Sequence, residues 1–356
     1  MSKRKLSRQQ AFRVQRIQDE RIARARRRGA AADDLLESGE LGAGEEGLVV
    51  THYGTQIEVE ALQGEHRGQV FRCHMRANLE ALVTGDRVIW QAPPAGSDEA
   101  IGVITALLPR RSLLVRPDPY GKLKPVAANI DRIILVIAPF PEPSALLVDR
   151  YLVACELTGI RPVILLNKAD LVTPELAPQL DALLGEYAAI GYEVRQVSAS
   201  TGQLQDLAGL IGERTVVFVG QSGVGKSSIV NVLLPSAAQR VSALSDASRL
   251  GQHTTTTARL FHLPEGGVLI DSPGIREFGL WHVDAAQLLE GYVEFRPVLG
   301  TCRFRNCAHR EEPGCALKAA VADGRIAARR FERFCRLRDE LSERRPGQGA
   351  GPERPA

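Results

Sequence analysis

One run constrains the fold more than any other: Thr215-Val-Val-Phe-Val-Gly-Gln-Ser-Gly-Val-Gly-Lys-Ser-Ser228. Thr215 to Val219 are apolar or β-branched and read as a buried strand. Gly220-x-x-x-x-Gly225-Lys226-Ser227 then fits a phosphate loop, with a helix predicted from Lys226. Gly220, Gly223 and Gly225 let backbone N–H groups approach phosphate oxygens; Gln221, Ser222, Val224 and Ser228 complete the loop. The helix N-terminus adds partial positive charge there. Lys226 can reach the β- and γ-phosphates, and the Ser227 hydroxyl can ligate Mg²⁺. This stretch predicts a nucleoside triphosphate site in an α/β sheet.

The base is read from a second stretch. The apolar strand Arg161–Leu166 ends in Asn167-Lys168-Ala169-Asp170. A carboxylate there can accept hydrogen bonds from the guanine N1–H and 2-amino group. Adenine offers no donor at N1, so the buried charge facing it would go unpaired, at a cost of about 1–3 kcal/mol or more. The Lys168 stem can pack on the ring. Ser198 and Ala199, in Val197-Ser-Ala-Ser200, end the next strand and can meet guanine O6. Asp271, in Ile270-Asp-Ser-Pro-Gly274, is placed as a carboxylate behind Mg²⁺, with the Gly274 N–H as a γ-phosphate sensor. Between it and the phosphate loop lies Gly251-Gln-His-Thr-Thr-Thr-Thr257. Either Thr255 or Thr256 can complete the Mg²⁺ sphere.

The order of these stretches is itself informative. GTPases ordinarily run phosphate loop, switch threonine, Asp-x-x-Gly, Asn-Lys-x-Asp, Ser-Ala. Here Asn-Lys-Ala-Asp and Ser-Ala come first, which predicts a circularly permuted domain. Such a cut is tolerable because domain termini often lie close together. The position that usually carries a water-orienting Gln holds Ile275. The catalytic candidates are therefore Lys226 and His253, the latter beside the threonine run; its alternative is a surface-loop histidine.

A different chemistry closes the chain. Cys302-x4-Cys307-x-His309-x5-Cys315 packs three thiolates and an imidazole into fourteen positions, which suits a closed tetrahedral Zn²⁺ site of structural type. Helices are predicted over 317–323 and 326–343, the second with a basic face.

The flanks carry charge. Of 356 residues with a net charge of +3, residues 1–30 hold eleven Lys or Arg, and Arg325 to Arg345 hold eight more. Basic ends suit a polyanion such as RNA, or for the amino-terminal arm simply a solvated tail. Ser38–Gly47 reads as a linker. Five short strands over 48–106 predict a small Greek-key barrel of the oligonucleotide-binding type. Arg67, Arg72, Arg76, Arg110 and Arg111 are its candidate phosphate contacts; a barrel that only docks is the alternative. No apolar run approaches the roughly 20 residues of a membrane span. Six cysteines without a leader point to a reducing, cytoplasmic setting.

Together, the barrel, Asn167-Lys-Ala-Asp170 ahead of Gly220 to Ser228, Gly251 to Thr256, Asp271-Ser-Pro-Gly274 and the Cys302/Cys307/His309/Cys315 cluster resemble the ribosome small-subunit-dependent GTPase A family (RsgA, also called YjeQ) over about residues 45 to 345. The fold expected is an OB-type barrel (46–112) after a basic arm (1–45), then a circularly permuted P-loop GTPase domain (113–282), a helical zinc-binding domain (283–345) and a tail (346–356). The resemblance implies a late-acting 30S assembly factor that binds 16S rRNA. It implies slow intrinsic GTP hydrolysis stimulated by the small subunit, and departure after hydrolysis. A hydrophobic residue in place of the catalytic Gln is a family trait that Ile275 matches. A monomer working away from membranes is expected. A GTP-gated transport or translation factor, and a non-catalytic RNA-binding scaffold, are the competing classes.

Overall fold

The computed structural model describes residues 41–53, 56–76, 79–93, 101–117, 122–235, 258–272, 275 and 283–343. They divide into two compact units between Arg110 and Arg111. In the first unit, β1 (Gly44–Tyr53), β2 (Gln56–Ala61), β3 (Val70–Met75), β4 (Arg87–Gln91) and β5 (Ile101–Leu107) take the order β1-β2-β3-β5-β4. β1 also pairs with β4, which closes the barrel. β3 and β5 run parallel and the other pairs antiparallel. This is the oligonucleotide-binding barrel topology. Its core is Val49, Val59, Val88, Trp90 and Ile104.

β1 begins inside the stretch that the sequence reads as a linker, because Gly44 to Gly47 pair with Gln91 to Val88. Gly47 is required there: a Cβ would lie 2.4 Å from Val59 and 2.7 Å from the Trp90 ring. The candidate RNA contacts separate as well. Arg110 is committed to the buried Asp86, at 2.7 and 2.8 Å, and Arg111 in the second unit to Asp131 at 2.8 Å. Arg67 and Arg72 remain exposed.

The second unit starts with an antiparallel pair that periodicity did not reveal, β6 (Leu113–Pro117) and β7 (Leu123–Ala128). There follow β8 (Arg132–Ile137), α1 (Ala145–Thr158), β9 (Arg161–Leu166), α2 (Ala177–Ile190), β10 (Glu193–Gln196), α3 (Gln205–Ile211), β11 (Thr215–Val219), α4 (Lys226–Leu233), β12 (Arg259–His262) and β13 (Val268–Asp271). The strands form one sheet in the order β10-β9-β8-β11-β13-β12. Every pairing from β10 to β13 is parallel, and only β12 runs antiparallel. β8 is buried at all six positions, as its unbroken apolar run predicts for a strand covered on both faces. All carboxyl ends of the parallel strands therefore lie along one edge, where ligands bind in such sheets.

The chain continues into α5 (Ala285–Glu290), a 3₁₀ segment (Val293–Val298), α6 (Ala316–Ala322) and α7 (Ala328–Glu343). α7 was expected to carry a basic face, yet Arg330 is wholly buried. It meets Asp149 of α1, also wholly buried, and Glu294 at 2.6 Å, while its guanidinium stacks 4.4 Å from the Tyr292 ring centre. Arg333 adds a 2.6 Å bond to Asp149 and a bond to Glu186 of α2. Burial pushes the Asp149 carboxyl up, and Arg330 and Arg333 oppose that shift.

Candidate functional site: a guanine and phosphate pocket assembled from permuted motifs

Four motifs meet along the carboxyl edge. Asn167 follows β9, Ser198 follows β10, Gly220 follows β11, and Asp271 ends β13. Because the strands are parallel neighbours, the site depends on sheet order and not on chain order.

The phosphate loop has the backbone its glycines predict. Gly220, Gly223 and Gly225 have φ of 139°, 85° and 93°. A Cβ on Gly220 would lie 2.2 Å from the Val136 carbonyl, and one on Gly225 2.3 Å from Asn167 Nδ2. Val224 is buried and anchors the loop, while Gln221, Ser222, Ser227 and Ser228 are exposed. Ile229 and Val230 bury the inner side of α4, whose amino-terminal turn begins at the loop and adds partial positive charge there. Lys226 Nζ donates to the carbonyls of Gly220 (2.6 Å) and Gln221 (2.7 Å).

The guanine motif is joined to this loop directly. Asn167, 1% exposed, donates through Nδ2 to the Val224 carbonyl at 2.9 Å and accepts the Ala199 N–H at 3.2 Å. It ties the ends of β9 and β10 to the phosphate loop, a role that sequence alone did not disclose. Lys168, held at φ 58°, lays its ammonium between the carbonyls of Gly223 (2.7 Å) and Phe140 (2.9 Å). Its stem thus crosses from one motif to the other. The Ala169 N–H donates to the Val197 carbonyl at 3.1 Å.

Asp170 is exposed, with its carboxylate oriented by two hydroxyls: Ser198 on Oδ1 and Ser200 on Oδ2 at 3.1 Å. The Ser198 hydrogen bond, then that of Ser200, hold its pKa below the usual carboxylate value. Ser198 thus holds the Asp170 carboxylate, a contact that sequence alone did not disclose. Asp271 is half-buried at the edge, and Ile275 is 2% exposed with its side chain in the core, where it cannot orient water. His253, Thr255, Thr256 and Gly274 lie outside the described residues.

The second candidate centre is in the carboxyl-terminal part. The donor atoms of Cys302, Cys307, His309 and Cys315 all lie within 4.8 Å of one another. His309 Nδ1 is 3.4 Å from Cys315 Sγ and 3.7 Å from Cys302 Sγ. A tetrahedron with metal–ligand arms of about 2.0–2.3 Å has edges of about 3.3–3.8 Å, so the two His309 spacings fit one zinc-sized ion. Glu312 supports the turn by accepting the N–H groups of Ala308 and Arg310, each at 2.8 Å. Its own N–H and those two hold its pKa down at about 2. Burial lowers the pKa of His309, which favours the neutral imidazole that a metal needs.

A phosphate loop bonded to an Asn-Lys-x-Asp motif that precedes it in the chain, in a protein that also carries an OB-type barrel, defines a circularly permuted GTPase. A family model described as RsgA GTPase matches residues 107–281. The Small ribosomal subunit biogenesis GTPase RsgA of Pseudomonas fluorescens (strain Pf-5) is 57% identical over 94% of this chain and 96% of its own length. That of Azotobacter vinelandii is 57% identical over 96% and 99%. Among solved structures, YjeQ from Thermotoga maritima covers 85% of this chain and all of its own, at 30% identity and a TM-score of 0.68. YloQ, a circularly permuted GTPase, covers 85% and 97% at 28% identity and a TM-score of 0.67. The chain belongs to the RsgA GTPase family.

Proposed function

We propose that this GTPase acts late in maturation of the 30S ribosomal subunit, binds 16S rRNA, hydrolyses GTP when the small subunit stimulates it, and then departs. The reading draws on relatives named as small ribosomal subunit biogenesis GTPases. The observation that carries the nucleotide half is the bonding of Asn167 to Val224 and of Lys168 to Gly223, which makes one pocket of the base and phosphate motifs. Asp170 would read guanine. The loop from Gly220 to Ser228 would hold the phosphates, with Lys226 on the β- and γ-oxygens. Ser227 and Thr255 or Thr256 would ligate Mg²⁺, with Asp271 behind it and Gly274 at the γ-phosphate. His253 is proposed to position water, since Ile275 does not.

Cys302, Cys307, His309 and Cys315 would hold one structural Zn²⁺. The proposed division is a basic arm to residue 45, the barrel to 112, the permuted GTPase domain to 282 and the zinc-binding helices to 345. Among the described residues no helix is long and apolar enough to cross a membrane. We place the protein in the cytoplasm, as a monomer.

The test is GTP turnover with purified 30S or 50S particles. Stimulation by 30S is expected, abolished in Lys226→Ala and lowered in His253→Ala without loss of GTP binding. Stimulation by 50S alone would overturn the assembly role. GTP left intact on the 30S complex would overturn the enzyme role there.

A further inference from the structure

We propose that the loop between Cys302 and Cys307 is a knuckle for an unpaired RNA base, with Phe304 stacking on the base and Arg303 and Arg305 holding its flanking phosphates. This rests on the RNA-binding reading above and assigns part of that binding to three named residues.

Arg303, Phe304, Arg305 and Asn306 are all exposed. Phe304 is 42% exposed, whereas Phe295 and Phe334 in the same part of the chain are wholly buried, so the fold has not used this ring as core. The Arg303 guanidinium lies over the ring, 5.6 Å from its centre. A base added to the ring would extend an existing guanidinium–phenyl stack.

The charges are available. Arg310 is paired with Asp339 and Lys318 with Glu311, whereas among the described residues neither Arg303 nor Arg305 meets a carboxylate. Two unneutralised guanidiniums flanking an aromatic ring match the alternation of phosphate and base along a single strand. A duplex keeps its base faces stacked on each other and would offer the ring nothing.

The knuckle is also held in shape. Both of its ends are cysteines of the four-residue cluster. The Arg303 N–H donates to Gly314 O at 3.0 Å, and the Cys307 N–H to Phe304 O at 3.2 Å. The Arg303 Cβ sits 2.9 Å from where a Gly314 Cβ would be, so the two backbones are packed together. A ring presented on a fixed turn loses little freedom on binding.

The test uses the full chain with three labelled ligands at one salt concentration: a short uridine oligonucleotide, an abasic phosphodiester of equal length, and a blunt duplex. The wild type is expected to prefer the uridine strand. Phe304→Ala should weaken that strand by about 5- to 100-fold and leave the abasic strand unchanged, while Phe304→Trp retains the preference. Arg303→Gln with Arg305→Gln should weaken both strands. In a salt titration the same variant should show a shallower log–log slope, by about 0.7 for each phosphate it no longer neutralises.

Equal uridine binding by Phe304→Ala and the wild type would overturn the proposal. So would loss of 30S co-sedimentation in Phe304→Ala with uridine binding unchanged, which would assign the ring to a protein partner. A wild type that does not co-sediment with 30S at all would instead overturn the ribosomal reading on which the proposal rests.

Discussion

Asn167 and Asp170 stand three residues apart and do different work. Asn167 is buried and spends its amide on the protein, clamping Val224 and Ala199. Asp170 is exposed, with its carboxylate held by Ser198 and Ser200. Replacing Asn167 by Ala should orphan a carbonyl and an N–H, each costing about 1–3 kcal/mol. The checks are a lower denaturant midpoint together with weaker binding of both GTP and GDP. Asp170→Ala should instead leave stability close to wild type and weaken guanine nucleotides by about tenfold or more, measured by fluorescent-nucleotide titration.

The pH dependence separates the hydroxyls from the carboxylate. In the proposed role the ionised carboxylate is the form that would accept from guanine, and its pKa is depressed. GTP affinity should therefore hold through the ordinary aspartate range and fall only below it. In Ser198→Ala the fall should begin higher, near the ordinary value of about 3.9. Identical pH profiles for the two proteins would remove Ser198 from this role.

At the level of elements, the contact between α1 and α7 carries a charge cluster inside apolar packing. Asp149 and Arg330 are both inaccessible to solvent. Asp149→Ala leaves Arg330 buried and short of its partner and should cost about 3–5 kcal/mol in chemical denaturation. Asp149→Leu combined with Arg330→Met should cost much less, since removing both charges also removes their desolvation.

The sequence disclosed α1 and α7 but not their joint, because Asp149 stands next to Arg150 like a surface charge pair and Arg330 among surface-type arginines. What pairs them is tertiary. The strands Arg132–Ile137 and Thr215–Val219 were legible from unbroken apolar runs. Gly44–Gly47 was misread because a glycine chosen for closeness to Trp90 looks, in one dimension, like a linker glycine. β6 and β7 escaped because Pro117 and Pro125 interrupt their alternation, although the two strands need only each other. The glycine backbone of the phosphate loop was legible because its pattern is local; the Asn167 clamp was not, because its partner is 57 residues away.

For the whole molecule, two centres of different chemistry share one unit. The cysteine cluster reaches α7 through Arg338, whose guanidinium donates to the Ala308 carbonyl at 2.9 Å, and α7 reaches α1 through Arg330. Glu312→Ala should loosen the turn around His309 and lower zinc affinity by about 10- to 100-fold, read by competition with a chromogenic chelator. Full chelation should leave GTP binding intact, because α7 keeps its ion pairs to α1, and should reduce stimulation by 30S particles. Loss of GTP binding on chelation would contradict that separation.

The Asn167 clamp also sets a clock during synthesis. Its amide emerges from the ribosome 57 residues before the Val224 carbonyl it needs. At about 5–20 residues per second, the guanine-reading half waits about 3–11 s for the loop that completes it. In an unpermuted domain the phosphate loop would appear first and could gather phosphates alone. Here the base-reading half is made first, and tight nucleotide capture becomes possible only once the second half of the sheet has been made.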